Sequence, residues 1–94
     1  MQMDVTPPPA IIEILRDQGG SLGERMVIQR WLARIGAEVR IKGTCASACA
    51  FLLGLPRNQV CVYPAAWLGY HTKDEAVEWE RGRALIARGT RECR

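Results

Sequence analysis

Residues 38–53 constrain this chain more than any other stretch. Glu38-Val39-Arg40-Ile41-Lys42 alternates apolar with polar, Gly43 interrupts, and Thr44-Cys45-Ala46-Ser47-Ala48-Cys49-Ala50 offers only small side chains before Phe51-Leu52-Leu53 turns apolar. A period of two, a glycine and then an apolar run read as a strand that turns into a short helix. That order puts Ser47 at the positive end of a helix dipole, where a hydroxyl becomes an alkoxide more easily.

Acyl transfer needs more than a serine. It needs a base within hydrogen-bond reach and backbone N–H groups aimed at the developing oxyanion. The only histidine, His71, closes a second apolar segment, Ala65-Ala66-Trp67-Leu68-Gly69-Tyr70-His71, which reads as a buried strand. Upstream, Gly19-Gly20-Ser21 joins the strand-like Ile11-Ile12-Glu13-Ile14-Leu15 to a helix, and adjacent glycines let backbone approach a ligand closely. Gly20 precedes Ser47 by 27 residues, and Ser47 precedes His71 by 24.

In this order and spacing the chain resembles the proteolytic subunits of Clp proteases, within the Clp-protease/crotonase superfamily. It looks closest to the branch of Clp-like serine proteases with a Cys-Ala-Ser-Ala-Cys nucleophile motif, some of them exported. The likeness runs from Ile11 to Thr72, 62 of the 94 residues. It implies that Ser47 is the nucleophile, that His71 is the general base, and that Gly20 and Ala48 supply the oxyanion-hole N–H groups. It also implies a polypeptide substrate, a homo-oligomer and an unfoldase as partner, with no metal or organic cofactor. Two departures stand out. The family usually has a proline before the double glycine, where this chain has Asp17-Gln18. The family's triad aspartate lies well downstream of the histidine, whereas 23 residues follow His71 here, and the nearest acids, Asp74 and Glu75, fall where a helix start would use them as caps. The third triad member stays unassigned.

A chain of 94 residues makes one small domain, and with 48% apolar and 24% charged residues it has the composition of a globular one. The net charge of +3 comes from dispersed side chains. Arg25, Arg30, Arg34, Arg40 and Lys42 read as a solvated surface, not a nucleic-acid patch. No run approaches the roughly 20 apolar residues of a membrane span. The first nine residues have neither the basic nor the apolar region of a secretory signal, so cytoplasm is the default expectation, and the periplasm the alternative if an upstream leader is missing. Cys45, Cys49, Cys61 and Cys93 read first as small buried thiols. A Cys45–Cys49 or Cys49–Cys61 disulfide is the next reading and would imply an oxidising compartment. A zinc site of Cys45, Cys49, Cys61 and His71 fits no common motif.

The layout reads as α/β: a partial Clp-protease/crotonase-like ββα unit with a mainly parallel sheet and right-handed crossover helices. Residues 1–10 form an extended proline-rich segment, with Pro7-Pro8-Pro9 unable to donate backbone hydrogen bonds and the folded part beginning near Ile11. Residues 11–72 form the core and 73–94 a helix and tail. Ser21 and Glu24 make a capping box for a helix with Ile28, Trp31, Leu32 and Ile35 on one face, stopped by Gly36. A strand Val60-Cys61-Val62-Tyr63 follows the Gly54–Asn58 turn. Thr72 and Glu75 make a second capping box, opening a helix that carries Val77, Trp79, Leu85 and Ile86 to about Arg88.

The leading expectation is a Clp-like serine peptidase unit working through an acyl-enzyme on Ser47. Its rival is a non-catalytic homologue that keeps the fold as an assembly or interaction subunit. Crotonase-type acyl-thioester binding ranks third, since it would leave Ser47 and His71 without need of each other.

Overall fold

The computed structural model describes residues 2–6, 10–71 and 76–94. The Pro7-Pro8-Pro9 linker, the Thr72/Glu75 capping box and the acids Asp74 and Glu75 lie outside them.

The elements run β1 (Gln2–Thr6), β2 (Ile11–Asp17), α1 (Leu22–Ile35), β3 (Glu38–Ala46), a 3-10 helix (Ser47–Gly54), β4 (Val60–Val62), β5 (Trp67–His71), β6 (Val77–Arg81) and α2 (Gly82–Ala87). A further 3-10 turn covers Arg57–Gln59. The fold is mixed α/β, and the expectation of a mainly parallel sheet is corrected. Strand order is β1-β2-β3-β5-β6. β2, β4 and β5 run parallel to β3, while β1 on β2 and β6 on β5 are antiparallel. Connection length explains the difference. Only four residues separate Thr6 from Ile11 and five separate His71 from Val77, whereas a parallel crossover needs a dozen or more.

Two further expectations are corrected. The ordered fold starts with β1 rather than near Ile11. The segment after His71 is not one helix: Val77-Glu78-Trp79-Glu80-Arg81 alternates with period two and pairs along β5 (His71 with Val77, Gly69 with Trp79, Trp67 with Arg81), and the helix starts only at Gly82. Val77 and Trp79 fit a strand face as well as a helix face, and pairing decided between them.

β4 and β5 lie end to end on one edge of β3, opposite Val39–Ile41 and Thr44–Ala46 respectively, with the chain turning between them at Pro64. Ile12, Ile14, Val39, Ile41, Val60, Val62 and Leu68 point to one side and meet α1, the 3-10 helix and α2 in a core completed by Leu32, Cys49, Leu52, Leu55 and Leu85. Ser21 caps α1 by accepting from the Glu24 N–H at 3.3 Å, and Gly36 ends it in the left-handed region. Leu32 is buried on α1, but Trp31 and Ile35 are exposed, so its apolar stripe is only partly covered. Gln29 donates to the Phe51 carbonyl and Gln59 to the Leu32 and Ala37 carbonyls, tying α1 to the segment after Ser47.

The other sheet face is open. It carries Glu13, Arg40, Lys42, Thr44, Trp67 and Trp79, none of them buried. Trp79 lies across Gly69, where a Cβ would come 2.9 Å from the indole, and Arg81 stacks on Trp67 at 3.7 Å from the ring centroid. Register between β2 and β3 shifts after Ile14, and there the Leu15 carbonyl oxygen would come 2.0 Å from a Cβ at Gly43. Overpacking of this kind typically costs 1–3 kcal/mol, more where backbone must move. Gly43→Ala will therefore lower unfolding free energy by about 3 kcal/mol in urea titrations; a change under about 0.5 kcal/mol would show that the strands part freely here.

All four cysteines are paired, Cys45 with Cys49 and Cys61 with Cys93. This corrects the buried-thiol reading and leaves no thiolate for the zinc alternative. Cys45, Cys49 and Cys61 are fully buried, as the first reading had it, while of the disulfides in the second reading Cys45–Cys49 is formed and Cys49–Cys61 is replaced by Cys61–Cys93. The Cys61–Cys93 bond holds the C-terminal tail against β4, where the Val62 N–H donates to the Arg91 carbonyl and the Cys93 N–H to the Val62 carbonyl. Arg91 also donates to Glu38 at 3.0 Å, and that hydrogen bond is the main reason the Glu38 carboxyl sits below its ordinary pKa.

Candidate active site

The parallel strands β2, β3 and β5 end on the same side of the sheet, the usual location of ligands in open α/β sheets. Past these ends lie the Gln18-Gly19-Gly20 turn, Ser47 and His71. A crevice of about 280 Å³ is lined there by Gln18, Thr44, Ala46, Ser47, His71, Val77 and Trp79. Pleating explains the set: Thr44, Ala46, His71, Val77 and Trp79 share the open face, because Thr44 pairs with Trp67, Ala46 with Gly69 and His71 with Val77. A second groove, lined by Gln18, Thr44, Trp67 and Trp79, continues from it.

Ser47 is half-buried and begins the 3-10 helix. Its φ of 56° is the only positive value of a non-glycine among the described residues. Strand, left-handed serine and helix form a sharp turn, a geometry that presents a hydroxyl clear of its neighbours. The first N–H groups of a helix have no intrahelical acceptor, so the Ala48 N–H begins without one. His71 ends β5 as an exposed residue, which corrects the reading of residues 65–71 as a buried strand; Ala66, Leu68 and Gly69 are the buried residues of that segment. Among the described residues Ser47 and His71 make no direct hydrogen bond, although both border the crevice.

The glycine turn meets Ser47 through Gly19. A Cβ on Gly19 would lie 2.8 Å from the Ser47 Cβ and 3.3 Å from its Oγ, and its φ of 100° is a glycine conformation. Gly20, with φ of 149°, follows, and a Cβ there would come 3.7 Å from Nη2 of Arg25. The turn is held by a buried ion pair. Asp17, 1% exposed, accepts two hydrogen bonds from the Arg25 guanidinium, one of them at 2.8 Å to Oδ1. Its Oδ1 also accepts from the Gly19 N–H at 3.0 Å, and Arg25 donates to the Gly19 carbonyl at 3.1 Å. Both backbone polar groups of Gly19 are thus satisfied within the turn. Arg25, expected on the solvated surface, is 7% exposed. Sequence reasoning missed this pair; an aspartate ending one element and an arginine eight residues later, one turn into the next helix, was the available signal.

The charged crevice among Glu38, Arg40, Arg57, Arg91, Glu92 and Arg94 lies near the opposite end of β3 and shares no residue with this site. Among the described residues no helix is long and apolar enough to cross a membrane. Comparison with protein-family models, curated proteins and solved structures gives no match.

Proposed function

We propose that the chain is a Clp-like serine peptidase unit that cleaves peptide bonds through an acyl-enzyme on Ser47. The observation that carries this reading is a single crevice bordered by Gln18 at the start of the glycine turn, a left-handed serine and the one histidine, with Gly19 packed against that serine. In the proposed reaction His71 takes the Ser47 proton as Oγ attacks the scissile carbonyl. The Gly20 and Ala48 N–H groups hold the oxyanion. Collapse expels the amine, which takes the proton back from His71, and water then attacks the acyl-enzyme with His71 again as base. The apolar groove past Trp79 suits an apolar side chain of the polypeptide. The two disulfides favour an oxidising compartment over the default cytoplasm.

A second reading, a non-catalytic assembly subunit, is favoured by two observations. Among the described residues no carboxylate hydrogen-bonds to His71, and α1 exposes Leu22, Val27, Trp31 and Ile35, a surface suited to self-association.

Fluorophosphonate labelling separates the two. The native chain is expected to label slowly at Ser47, Ser47→Ala to lose the label, and His71→Ala to slow it by at least about 100-fold, the low end of general-base contributions. Labelling that His71→Ala leaves unchanged would remove the base assignment. A native chain that takes no label would move the assignment to the assembly subunit.

A further inference from the structure

The Cys45–Cys49 disulfide spans Ser47 symmetrically, two residues to either side. Cys45 is the penultimate residue of β3 and is locked in the ladder by its pairing with Asp17 on one side and Leu68 on the other. Cys49 lies in the first turn of the 3-10 helix and is packed in the core. Both are fully buried. Between these anchors the chain has three residues, Ala46, Ser47 and Ala48, in which to leave the strand and begin the helix. Ser47 takes the left-handed conformation that permits this, a conformation unfavourable for a non-glycine residue and persisting only where its surroundings over-determine it.

Two neighbours make the conformation consequential. A Cβ built on Gly19 would lie nearest the Ser47 Cβ, then the Ala46 carbonyl oxygen and the Ser47 Oγ, so a small change at Ser47 moves the hydroxyl against the glycine turn. Ala48, whose N–H is the second candidate oxyanion donor, lies inside the same ring. A single covalent bond therefore fixes the nucleophile and one donor relative to each other and to the sheet.

We propose that the Cys45–Cys49 disulfide is a positioning clamp: it holds Ser47 in its left-handed conformation, so that the serine is reactive only in the disulfide-bonded chain. The proposal rests on Ser47 being the nucleophile. The burial of both sulfurs marks the bond as a permanent fixture set during oxidative folding, not a switch operated on the folded surface. Cys61–Cys93 provides an internal control, since it lies in the other half of the β3 edge and encloses none of Ser47, Ala48 or the glycine turn.

The test compares Cys45→Ala/Cys49→Ala with Cys61→Ala/Cys93→Ala, each retaining the other disulfide, and reads two quantities. The first is fluorophosphonate labelling at a temperature where both are folded. The second is the sign of φ at Ser47, from backbone chemical shifts. The first pair of substitutions is expected to slow labelling by about 100-fold, the penalty of a displacement near 1 Å at a reacting group, and to take Ser47 out of the left-handed region. The second pair is expected to lower the melting temperature further while leaving both quantities unchanged. Native-rate labelling or a retained positive φ in the Cys45/Cys49 variant would overturn the clamp. If the native chain takes no label, the nucleophile reading fails and the φ measurement alone decides the clamp. Should the double alanine variant not fold, Cys45→Ala/Cys49→Val refills the site and takes its place. Failure of that variant to fold as well would make the bond a general staple and overturn the positioning role.

Discussion

Arg25→Met will lower the unfolding free energy by about 3–5 kcal/mol, the largest effect expected from any single surface-to-core charge in this chain. The substitution leaves the fully buried Asp17 carboxylate with only the Gly19 N–H to satisfy it, and stranding one partner of a buried pair costs far more than the intact pair contributes. The double variant Asp17→Leu/Arg25→Met, by contrast, should recover most of the loss, because well-packed apolar replacements of buried ion pairs are often neutral or better. It would not recover the turn. Gly19 would lose the acceptor for its N–H and the donor to its carbonyl, and labelling at Ser47 should stay depressed. Chemical denaturation with a parallel labelling assay checks both parts. A loss below about 1 kcal/mol for Arg25→Met would mean that water reaches Asp17 and that the turn does not depend on the pair.

The second large effect concerns the tail. The Cys61–Cys93 bond closes a loop across a separation of 32 residues, for which the chain-entropy account gives about 3.7 kcal/mol. In a domain of this size that corresponds to about 15–25 °C in Tm. Cys61→Ala/Cys93→Ala should show that shift in a thermal melt, whereas Cys45→Ala/Cys49→Ala, opening a ring of five residues, should lose only about 2 kcal/mol on the same account. A shift under about 5 °C for the tail variant would mean that Arg91 to Glu38 and the two backbone bonds to Val62 hold the tail unaided.

The sequence was most legible where one local pattern met one local requirement. The Ser21 cap, the Gly36 stop and the alternation over Glu38–Lys42 each specify their element without help from distant residues and appear where expected, although of the Ser21/Glu24 box only the bond from the Glu24 N–H to Ser21 is made among the described residues. Parallel strands carry their C-terminal ends to a common side, which is why Gln18, Ser47 and His71 border one crevice, whereas neither Gly19 nor Gly20 is among the residues that line it. Three features were not legible. The β6 segment satisfies a helical and a strand period alike, and only its pairing with β5 selects one. Arg25 looks like any helical surface arginine until Asp17 is placed beneath it, and that placement depends on where β2 ends. Cysteine pairing follows from tertiary proximity; a partner for Cys61 as distant as Cys93 has no sequence signature.

The end-to-end arrangement of β4 and β5 along one edge of β3 divides the molecule into a foundation and a replaceable wall. β4, with the stapled tail, rests on the first half of β3, while the β5–β6 hairpin, with Trp67, Trp79 and His71, joins the sheet only through Thr44–Ala46. The turn at Tyr63–Ala66 lets the two halves meet β3 independently. Substitutions that reshape the crevice can therefore accumulate on the open face of the hairpin, opposite its core residue Leu68, and a scaffold of this small size can change what it grips while keeping the way it stands.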